Sequence, residues 1–514
     1  MPLMNPDDLK SPLSFLGDLI DEDARAVLAD YESWWRTEGM LISETVDRAG
    51  TPALRMFDQF GKRTDEILFP LEYWKMLRRG YQAGAIWRPF AGDANNSLRM
   101  HYLIDYITCF FDAGLGCPYI VSMSTTVPLK KYGALELQER FLPQLLRRDG
   151  TNWQGATWMT EIKGGSDLGA NVETIARRAG SEPPDSLSLW ERTGVRERSL
   201  AGGPIDLWIL NGEKYFASNV GAELAIVAAR PEGAPKTPKG LALFLLPRYR
   251  QDGALNYFIR RIKPKIGTRS VPTGEVELRD SEAYLLGEPE WGIYLILESL
   301  NLSRVGNIVG SVALAQRALA DAFLFAQERV AFGKPIIQHP LLRRQFEERL
   351  AQLQEARALM WTAIQLLDEV WRETPRYSDR YHLFRLVTHL AKYWTAELAV
   401  QFAKWNMEVH GGIGVLSEYS AERWLREAMI LPIWEGTPHR QMLDGLEVME
   451  RKHAHEMLFA YLAPLADQED LNRMSSLLNQ HLQLPAEEKE AGIEPVFREL
   501  AAFTARSLAK KHGA

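Results

Sequence analysis

The most informative segment of the sequence is Trp158-Met159-Thr160-Glu161-Ile162-Lys163-Gly164-Gly165-Ser166-Asp167-Leu168. An apolar start followed by a glycine pair is typical of a strand that enters a tight loop. The glycines lack the Cβ atoms that keep a backbone away from a ligand, while Thr160 and Ser166 place hydroxyl groups on either side. This arrangement suits a flat or phosphorylated ligand, although an ordinary turn between strands produces the same pattern.

On both sides of this loop the sequence changes character. Upstream, over residues 18–146, apolar residues recur at three-to-four spacing and predict helices. Downstream, short β-type runs separated by Gly, Pro and Asn predict the strands of a compact β unit, at 206–212, 223–229, 240–247 and 273–278. Helical periodicity then returns, with predicted helices at 316–329, 345–373, 381–409 and 418–429.

This order predicts an α+β protein. We place a helical domain at 1–154, a β domain at 155–288, a helical domain at 289–440 and a further helical region at 441–514. Breaks in the last region are expected at Pro464 and near Pro485. The segment 180–203 is rich in Ser, Pro, Glu and Arg, and is predicted to be an exposed excursion from the β domain.

The composition is that of a folded globular protein. The chain has 514 residues, 46% hydrophobic and 25% charged, with a formal net charge of −7. This excludes global disorder and provides no general attraction to nucleic acid or an anionic membrane. Cys109 and Cys117 form no Cys-x-x-Cys pair or zinc spacing, so we expect a reducing compartment and no metal. The N-terminus lacks a signal-peptide pattern, and we expect a cytoplasmic protein without a membrane anchor.

A second motif is Asn211-Gly212-Glu213-Lys214-Tyr215-Phe216-Ala217-Ser218-Asn219. Its Asn-Gly pair predicts a hairpin turn, and the alternation that follows places Phe216 and Ser218 on one face of a strand. An aromatic ring beside a hydroxyl suits a planar heterocycle, and also the half-buried face of an ordinary sheet.

A third motif is Glu328-Arg329-Val330-Ala331-Phe332-Gly333-Lys334-Pro335-Ile336. Gly333 is predicted to cap a long helix, which Pro335 prevents from continuing. Arg329 and Phe332 share one face of that helix end. The guanidinium suits either a pyrophosphate or the negative end of the helix.

Two glycine-rich segments bracket one short predicted helix. Val409-His410-Gly411-Gly412-Ile413-Gly414 precedes it, and Pro432-Ile433-Trp434-Glu435-Gly436-Thr437-Pro438-His439-Arg440 follows it. Glu435 has apolar neighbours, which raise the pKa of a carboxyl group toward the range useful to a general base. A solvated loop carboxylate is the alternative, and the bracketing segments favour one shared cleft.

In this order, the motifs resemble the flavin-dependent acyl-CoA dehydrogenase family over residues 155–449. The Thr160–Asp167 loop resembles its first signature, 214–219 its flavin-stacking strand, and Arg329 with Phe332 its cross-subunit flavin clamp. Residues 411–414 and 434–437 resemble its second signature and catalytic loop. The long N-terminal portion, the 180–203 insertion and the Trp-Glu-Gly loop are most similar to the AidB-like branch.

The resemblance implies a middle β-barrel, a C-terminal four-helix bundle with an extra helical region, an FAD cofactor, a homotetramer built as a dimer of dimers, and a role in fatty acid metabolism. The implied cofactor contacts are Met159, Thr160, Ser166, Phe216, Ser218, Thr437 and His439 and, toward the FAD of a neighbouring subunit, Arg329, Phe332, Glu408, Gly411 and Gly412. The implied acyl-CoA contacts are Ser166, Asn301, Arg304 and Gly436.

The implied reaction uses Glu435 as the base that removes the α-proton of an acyl-CoA, while the β-hydride passes to flavin N5 and an electron-transfer flavoprotein accepts the electrons. The family's enolate donors are the backbone N–H of the base and a ribityl hydroxyl. The family's usual tryptophan is replaced by Phe216 and its threonine by Ser218. Its glutamine is replaced by Pro340 and its aspartate by Asn301. The acyl-CoA side is therefore less strongly implied than the flavin side.

Two alternatives keep the same fold. One is an AidB-like flavoprotein with a DNA-binding or alkylation-damage role and weak dehydrogenase activity. From Gln441 onward, however, eight basic and twelve acidic residues give a net charge of −4, which disfavours a DNA-binding surface built from this region alone. The other alternative is an acyl-CoA oxidase that uses O2, which no motif separates from a dehydrogenase.

Overall fold

The computed structural model describes residues 6–92, 97–180 and 206–511, so the predicted excursion lies outside the described residues except for Gly180. The N-terminal helices are α1 (Pro12–Leu16), α2 (Glu22–Trp34), α3 (Met40–Ala49), α4 (Leu71–Ala83), α5 (Arg99–Phe111), α6 (Ala113–Tyr132) and α7 (Leu135–Leu145). The later helices are α8 (Gly292–Glu328), α9 (Pro340–Val370), α10 (Asp379–His410), α11 (Ser420–Ala428), α12 (Pro438–Lys452), α13 (Ala454–Leu462), α14 (Gln468–Leu482) and α15 (Ala486–Lys511). The strands are β1 (Ala53–Phe57), β2 (Arg63–Leu68), β3 (Thr157–Trp158), β4 (Ile175–Arg178), β5 (Leu207–Ser218), β6 (Leu224–Pro231), β7 (Ala242–Pro247), β8 (Phe258–Ile262), β9 (Thr273–Leu286), β10 (Val330–Ala331) and β11 (Lys334–Pro335).

Capping side chains fix the starts of several N-terminal helices. The carboxylate of Asp21 accepts the N–H of Ala24 at 2.8 Å at the start of α2, and Asp112 accepts the N–H of Leu115 at 2.8 Å at the start of α6. α5 and most of α6 are buried, and both pack against α8. The N-terminal helices therefore share one core with the C-terminal helices.

One part of the N-terminal region is a hairpin rather than the predicted helix. β1 and β2 pair antiparallel, and this hairpin docks on the middle domain. The carboxylate of Asp65 accepts the N–H of Ile259 at 2.8 Å, and Arg248 donates to the Asp65 carbonyl at 2.9 Å. Because these contacts come from distant parts of the chain, local periodicity did not reveal the strands.

The middle strands close into the predicted barrel. β6 pairs with β4, β4 with β5, β5 with β9, β9 with β7, and β7 with β6. β3 runs parallel to β6, and β8 lies along β9. The interior is filled by apolar side chains such as Val227, Phe244 and Val276. The predicted order of helical, β and helical domains is confirmed.

The Asn211-Gly212 pair does not form the predicted hairpin turn. It lies inside β5, where the register with β9 shifts between Leu210 and Gly212. Gly212 has a φ of 153°, and a Cβ there would lie 2.5 Å from Oγ1 of Thr174. The glycine is therefore needed for a bulge and a close approach, and the strand continues through it.

The predicted C-terminal helices are present as α8 to α11, and α8 begins at Gly292, well before the predicted start. Gly333 does not cap α8, whose C-cap is Arg329. Phe332 and Gly333, with φ values of 51° and 81°, form the two-residue turn between β10 and β11. Two successive left-handed residues are the requirement of a tight hairpin turn.

The segment Pro289–Glu328 is long and apolar enough to cross a membrane, but 78% of its most apolar window is buried inside the protein. The same length and composition are found in core helices of soluble proteins, and α8 packs against α5, α6, α9 and α10.

The C-terminal region continues the helical core. The predicted boundary at Gln441 falls inside α12, which begins at Pro438. Pro464 lies between α13 and α14, and Pro485 lies between α14 and α15. α15 packs against α9 and α10, and its Phe497 is fully buried.

Candidate active site

A cavity of about 1610 Å³ lies between the barrel, α6 and the C-terminal helices. It contacts both the glycine-pair loop and the Glu435 loop. The predicted residues that line it are Met159, Thr160, Ser166, Phe216, Ser218, Asn301, Arg304, Glu435, Gly436 and Thr437. The structure therefore brings together segments that lie far apart along the chain, such as the loops that contain Thr160 and Glu435.

A buried ion pair holds the glycine-pair loop. The carboxylate of Glu161 accepts a hydrogen bond from Lys214 at 2.6 Å and from the backbone N–H of Glu173 at 2.6 Å. A Cβ at Gly164 would lie 2.6 Å from the carbonyl oxygen of Asn171, whereas Gly165 borders open space on the cavity. Gly164 is thus required by close packing, and Gly165 leaves the cavity wall clear.

One face of β5 forms the opposite part of this wall. Phe216 is 53% exposed, and Ser218 lies two residues further on the same face. Trp158 donates its indole N–H to the Ser218 carbonyl at 3.0 Å, which ties β5 to β3. The hydroxyl of Thr157, which also lines the cavity, is buried and has no hydrogen-bond partner among the described residues.

The Glu435 loop has an unusual backbone. Glu435 has a φ of 58° and Gly436 a φ of 102°. A Cβ at residue 436 would lie 2.7 Å from Nε2 of Gln441. Gly436 is therefore needed both for the left-handed conformation and for the approach of Gln441.

Three buried side chains bind the carbonyl groups of this loop. Lys392 donates to the carbonyls of Pro432 at 2.8 Å and Gly436 at 2.6 Å. Arg304 donates to the Glu435 carbonyl at 3.2 Å, and Gln441 donates to the same carbonyl at 3.1 Å. These contacts fix the loop from the side of α8, α10 and α12.

The surroundings of Glu435 shift its protonation equilibrium. Burial raises the pKa of Glu435 to about 7, against the opposing charges of Arg304 and Lys392. Burial likewise lowers the pKa of Lys392 to about 7, and Arg304 lowers it further. Burial thus favours the uncharged form of both groups. Among the described residues, none donates a hydrogen bond to the Glu435 carboxylate, although the side chain lines the cavity.

Sequence reasoning did not identify Lys392, Gln441 or Asp444. Asp444 accepts a hydrogen bond from Arg304 at 3.2 Å, and the amide oxygen of Gln441 accepts one from Nδ1 of His389 at 2.9 Å. These residues stand on long helices in ordinary amphipathic patterns. Their interactions join different helices, and no local spacing indicates them.

The other predicted residues lie outside the cavity. Phe332 is 97% exposed at the tip of the β10–β11 hairpin, and the remaining ones are also exposed at the surface: Arg329, Glu408, Gly411, Gly412 and His439. Phe325 and His410 stack with ring centroids 4.3 Å apart, which places the end of α8 beside the end of α10. The segments at 329–332 and 408–412 thus form one surface. His439 is exposed and does not line the cavity, although its neighbours Thr437 and Arg440 do.

The cavity fits a flavin. Its wall combines the exposed ring of Phe216 with the hydroxyls of Thr160 and Ser218, and the buried hydroxyl of Thr157 finds no partner in the described part of the chain. The indole N–H of Trp434 also lines the cavity without a partner among the described residues. Planar heterocycles that carry hydrogen-bonding edges match such a surface. No group of three or more potential metal ligands occurs in the part of the chain that the structure describes.

Three domain families match the chain in succession. The adaptive response protein AidB N-terminal domain matches residues 18–150, the acyl-CoA dehydrogenase middle domain matches 156–281, and the acyl-CoA dehydrogenase C-terminal domain matches 290–449. Together these matches account for most of the chain, in the order that the structure shows.

Similar proteins span much of the chain. The putative acyl-CoA dehydrogenase AidB of Escherichia coli is 28% identical over 454 residues, 85% of this chain and 76% of that protein. Acyl-CoA dehydrogenase family member 11 of Caenorhabditis elegans is 28% identical over 413 residues, 78% of this chain, and this alignment spans 63% of the relative's length.

Solved structures share the fold. Bd2924 in its apo form has a TM-score of 0.84 at 27% identity, with 99% of this chain and 97% of that chain covered. Caenorhabditis elegans ACDH-11 in complex with C11-CoA has a TM-score of 0.80 at 24% identity, with 99% and 87% covered. With its helical, barrel and helical domains matched in order, the chain belongs to the acyl-CoA dehydrogenase family, in the branch that carries the AidB N-terminal domain.

Proposed function

We propose that the protein catalyses the FAD-dependent α,β-dehydrogenation of an acyl-CoA thioester, with Glu435 as the base. The position of the Glu435 carboxylate carries this proposal. It lines the cavity that Thr160, Phe216 and Ser218 also line, and no described residue donates a hydrogen bond to it. The E. coli relative is named a putative acyl-CoA dehydrogenase, which supports the same activity.

Glu435 is suited to remove the α-proton. A base works best when its pKa lies near the working pH, and burial raises the pKa of Glu435 to about 7. Lys392, Arg304 and Gln441 hold the loop carbonyls, so the carboxylate is presented on a fixed backbone. Such positioning lowers the entropy cost of reaching the transition state.

The same loop offers a donor for the thioester oxygen. As the α-proton leaves, negative charge develops on that oxygen and requires hydrogen-bond donors. Among the described residues, the backbone N–H of Glu435 donates to no other group. Within the described residues this N–H is therefore available to the thioester oxygen.

Thr160, Phe216 and Ser218 are the residues that would hold the flavin ring, and Thr437 lies at the start of α12 on the same cavity. When bound, FAD supplies the acceptor for the β-hydrogen, which leaves as a hydride. The chain itself provides the base, the donor and the walls that exclude water.

An anaerobic absorbance titration tests the role of Glu435. We expect acyl-CoAs to bleach the FAD-loaded wild type, and Glu435→Gln to bleach at least about 100-fold more slowly because the base is lost. Glu427→Gln is the matched control, since burial also raises the pKa of Glu427 to about 7 but this residue does not line the cavity. Equal bleaching rates for wild type and Glu435→Gln would remove Glu435 from this role.

For the electron acceptor we propose an electron-transfer flavoprotein. An acyl-CoA oxidase, which uses O2 as the acceptor, is the alternative. The choice between the two depends on whether O2 reaches the cofactor, and therefore on the shape of the cavity around it. Peroxide release in step with acyl-CoA turnover would establish the oxidase instead.

We propose a cytoplasmic homotetramer with this activity in fatty acid metabolism.

The exposed surface at 329–332 and 408–412 supports the homotetramer. Phe332 is 97% exposed, and Gly411 and Gly412 border open space. We propose that these residues contact the FAD of a neighbouring subunit.

A DNA-binding role stays the second candidate, and a gel-shift experiment with duplex DNA at low salt tests it.

A further inference from the structure

The loop between β8 and β9 brings a lysine to the cavity. Lys265 lines the cavity together with Thr268 and Thr273. Its ammonium group donates hydrogen bonds to Oγ1 of Thr268 at 3.1 Å and to Oγ1 of Thr273 at 3.1 Å. A third hydrogen bond reaches the carbonyl of Val271 at 2.9 Å. An ammonium group has three hydrogens, so the loop engages all of them and fixes the position of the charge.

No carboxylate balances this charge. Two buried lysines of the middle domain do have such a partner: Lys214 pairs with Glu161 at 2.6 Å. The second, Lys263, pairs with Glu275 at 2.6 Å. Within the described part of the chain Lys265 forms no ion pair, and its three hydrogen-bond acceptors are neutral. Burial lowers the pKa of Lys265 to about 8, which leaves the group mostly protonated at neutral pH.

Two titratable groups near Lys265 could oppose its charge. These are Cys117 and Glu427, whose negative forms would raise the pKa of the lysine. Burial raises the pKa of the Cys117 thiol to about 12, so this group is neutral. Burial also raises the pKa of Glu427 to about 7, which disfavours its negative form. Neither group therefore offers Lys265 a full negative charge at neutral pH.

This cation stands beside the wall that fits the flavin ring. Thr273, whose hydroxyl accepts from Lys265, pairs with Ser218 across β9 and β5. Ser218 and Phe216 belong to the face of β5 that lines the cavity. The Cys117 thiol is affected by the charges of both Lys265 and Glu435, so the ammonium group lies toward the part of the cavity that holds Glu435.

We propose that Lys265 raises the reduction potential of the bound flavin through its positive charge. A hydride carries two electrons and one proton, so a ring that accepts a hydride gains one negative charge. A fixed cation nearby stabilises that charge, and charges near the ring are one of the means by which a protein tunes a flavin. This inference goes beyond the proposed function, because it requires the flavin but neither an acyl-CoA nor Glu435.

An anaerobic titration of the FAD-loaded protein against a redox dye of known potential tests this effect without acyl-CoA. Lys265→Gln keeps hydrogen-bond donors and removes the charge, whereas Lys265→Arg keeps both. We expect Lys265→Gln to shift the equilibrium toward oxidised flavin at least about tenfold, which is about 30 mV for a two-electron couple. Lys265→Arg should remain close to the wild type. Lys239→Gln is the matched control, because Lys239 lines the cavity but is exposed, and solvent screens its charge.

A second pair of variants keeps the test decisive if Lys265→Gln fails to fold. Ile266→Glu adds a carboxylate next to Lys265, at a position that is 55% exposed and lines the cavity. Thr237→Glu adds the same charge at another exposed position of the cavity wall. Ile266→Glu should lower the potential more than Thr237→Glu does, because its carboxylate also neutralises Lys265.

Three results would overturn the inference. They are an unchanged potential in Lys265→Gln, equal shifts in Lys265→Gln and Lys265→Arg, which would assign the effect to the shape of the loop, and equal potentials in the two added-carboxylate variants. These outcomes are separate from failure of the proposed function. If Lys265→Gln lowers the potential but Glu435→Gln bleaches like the wild type, only the role of Glu435 fails.

Discussion

At Lys392, one ammonium group binds two carbonyls on either side of Glu435. This residue positions the loop and also acts on the proposed base through its charge, which lowers the pKa of Glu435. Lys392→Met removes both effects. Because the base must be ionised, activity is expected to rise with pH through the pKa of Glu435, which is about 7. In Lys392→Met this pKa increases, and the rising part of the profile moves to higher pH.

The measurement is kcat and KM of the FAD-loaded variant across pH 5 to 9, a range that lies above the ordinary carboxyl pKa and brackets the value of about 7 for Glu435. We expect kcat to fall more than KM changes, since the loop positions a proton-transfer group. Lys75→Met on α4, an exposed lysine, should leave the profile unchanged. An unaltered pH profile in Lys392→Met would show that Lys392 only stabilises the fold.

Single residues differ in how far the sequence reveals them. Glu435 could be proposed from its apolar neighbours and flanking glycines, which are local. Lys392 and Gln441 could not, because the carbonyls they bind belong to another element and are brought near only by helix packing. Asn301 was predicted to meet the substrate, and the structure shows its side chain accepting a hydrogen bond from Arg304 at 2.9 Å.

Among the small elements, the β10–β11 hairpin joins an exposed aromatic ring to a strained turn. Phe332 has a φ of 51° and is 97% exposed, so its ring gains little from packing within this chain beyond an edge-to-face contact with His339 at 6.1 Å between ring centroids. Glycine is the better residue for such a turn. Phe332→Gly should therefore leave the thermal stability of the isolated subunit unchanged or slightly higher. If the ring contacts the FAD of a neighbouring subunit, the same substitution should weaken FAD retention.

The measurement is the ratio of FAD to protein after gel filtration, together with the elution volume of the assembly. Phe60→Gly is the matched control, because Phe60 is 85% exposed near the turn of the β1–β2 hairpin. Full FAD retention in Phe332→Gly would refute the contact with a neighbouring subunit.

Elements also show where sequence patterns are ambiguous. Asn211-Gly212 and Phe332-Gly333 are both followed by β-type residues, yet the first continues a strand and the second turns. The Asn211-Gly212 conformation is decided by Thr174, which lies just before β4 and packs against Gly212. The β1–β2 hairpin was missed for a related reason, since its hydrogen bonds reach the barrel far along the chain. Long helices such as α9 and α10 were predictable because their periodicity persists over many turns.

Across the whole molecule, α12 links the cavity to the C-terminal region. Arg440, Asp444 and Val448 line the cavity from one side of this helix. On another side, Gly445 lies against α15, where an added Cβ would come within 2.5 Å of Cε2 of Phe497. The C-terminal region is thus packed into the same core as the site. The helical region at the end of the chain could be predicted from the sequence. Its coupling to the site through α12 could not, because the close contact of α12 with Phe497 depends on the missing side chain of Gly445.

Gly445→Val tests that coupling. Overpacking of a buried contact costs about 1–3 kcal/mol, and we expect the free energy of unfolding to fall by that amount. Because α12 belongs to both regions, loss of helical circular dichroism and release of FAD should occur in one coincident transition, shifted to lower temperature. Ala491→Val adds similar bulk at an exposed position of α15 and should cost less than about 0.7 kcal/mol through helix propensity alone. Separate transitions, with FAD still bound after part of the helix content is lost, would instead make the C-terminal region an independent unit whose packing does not support the site.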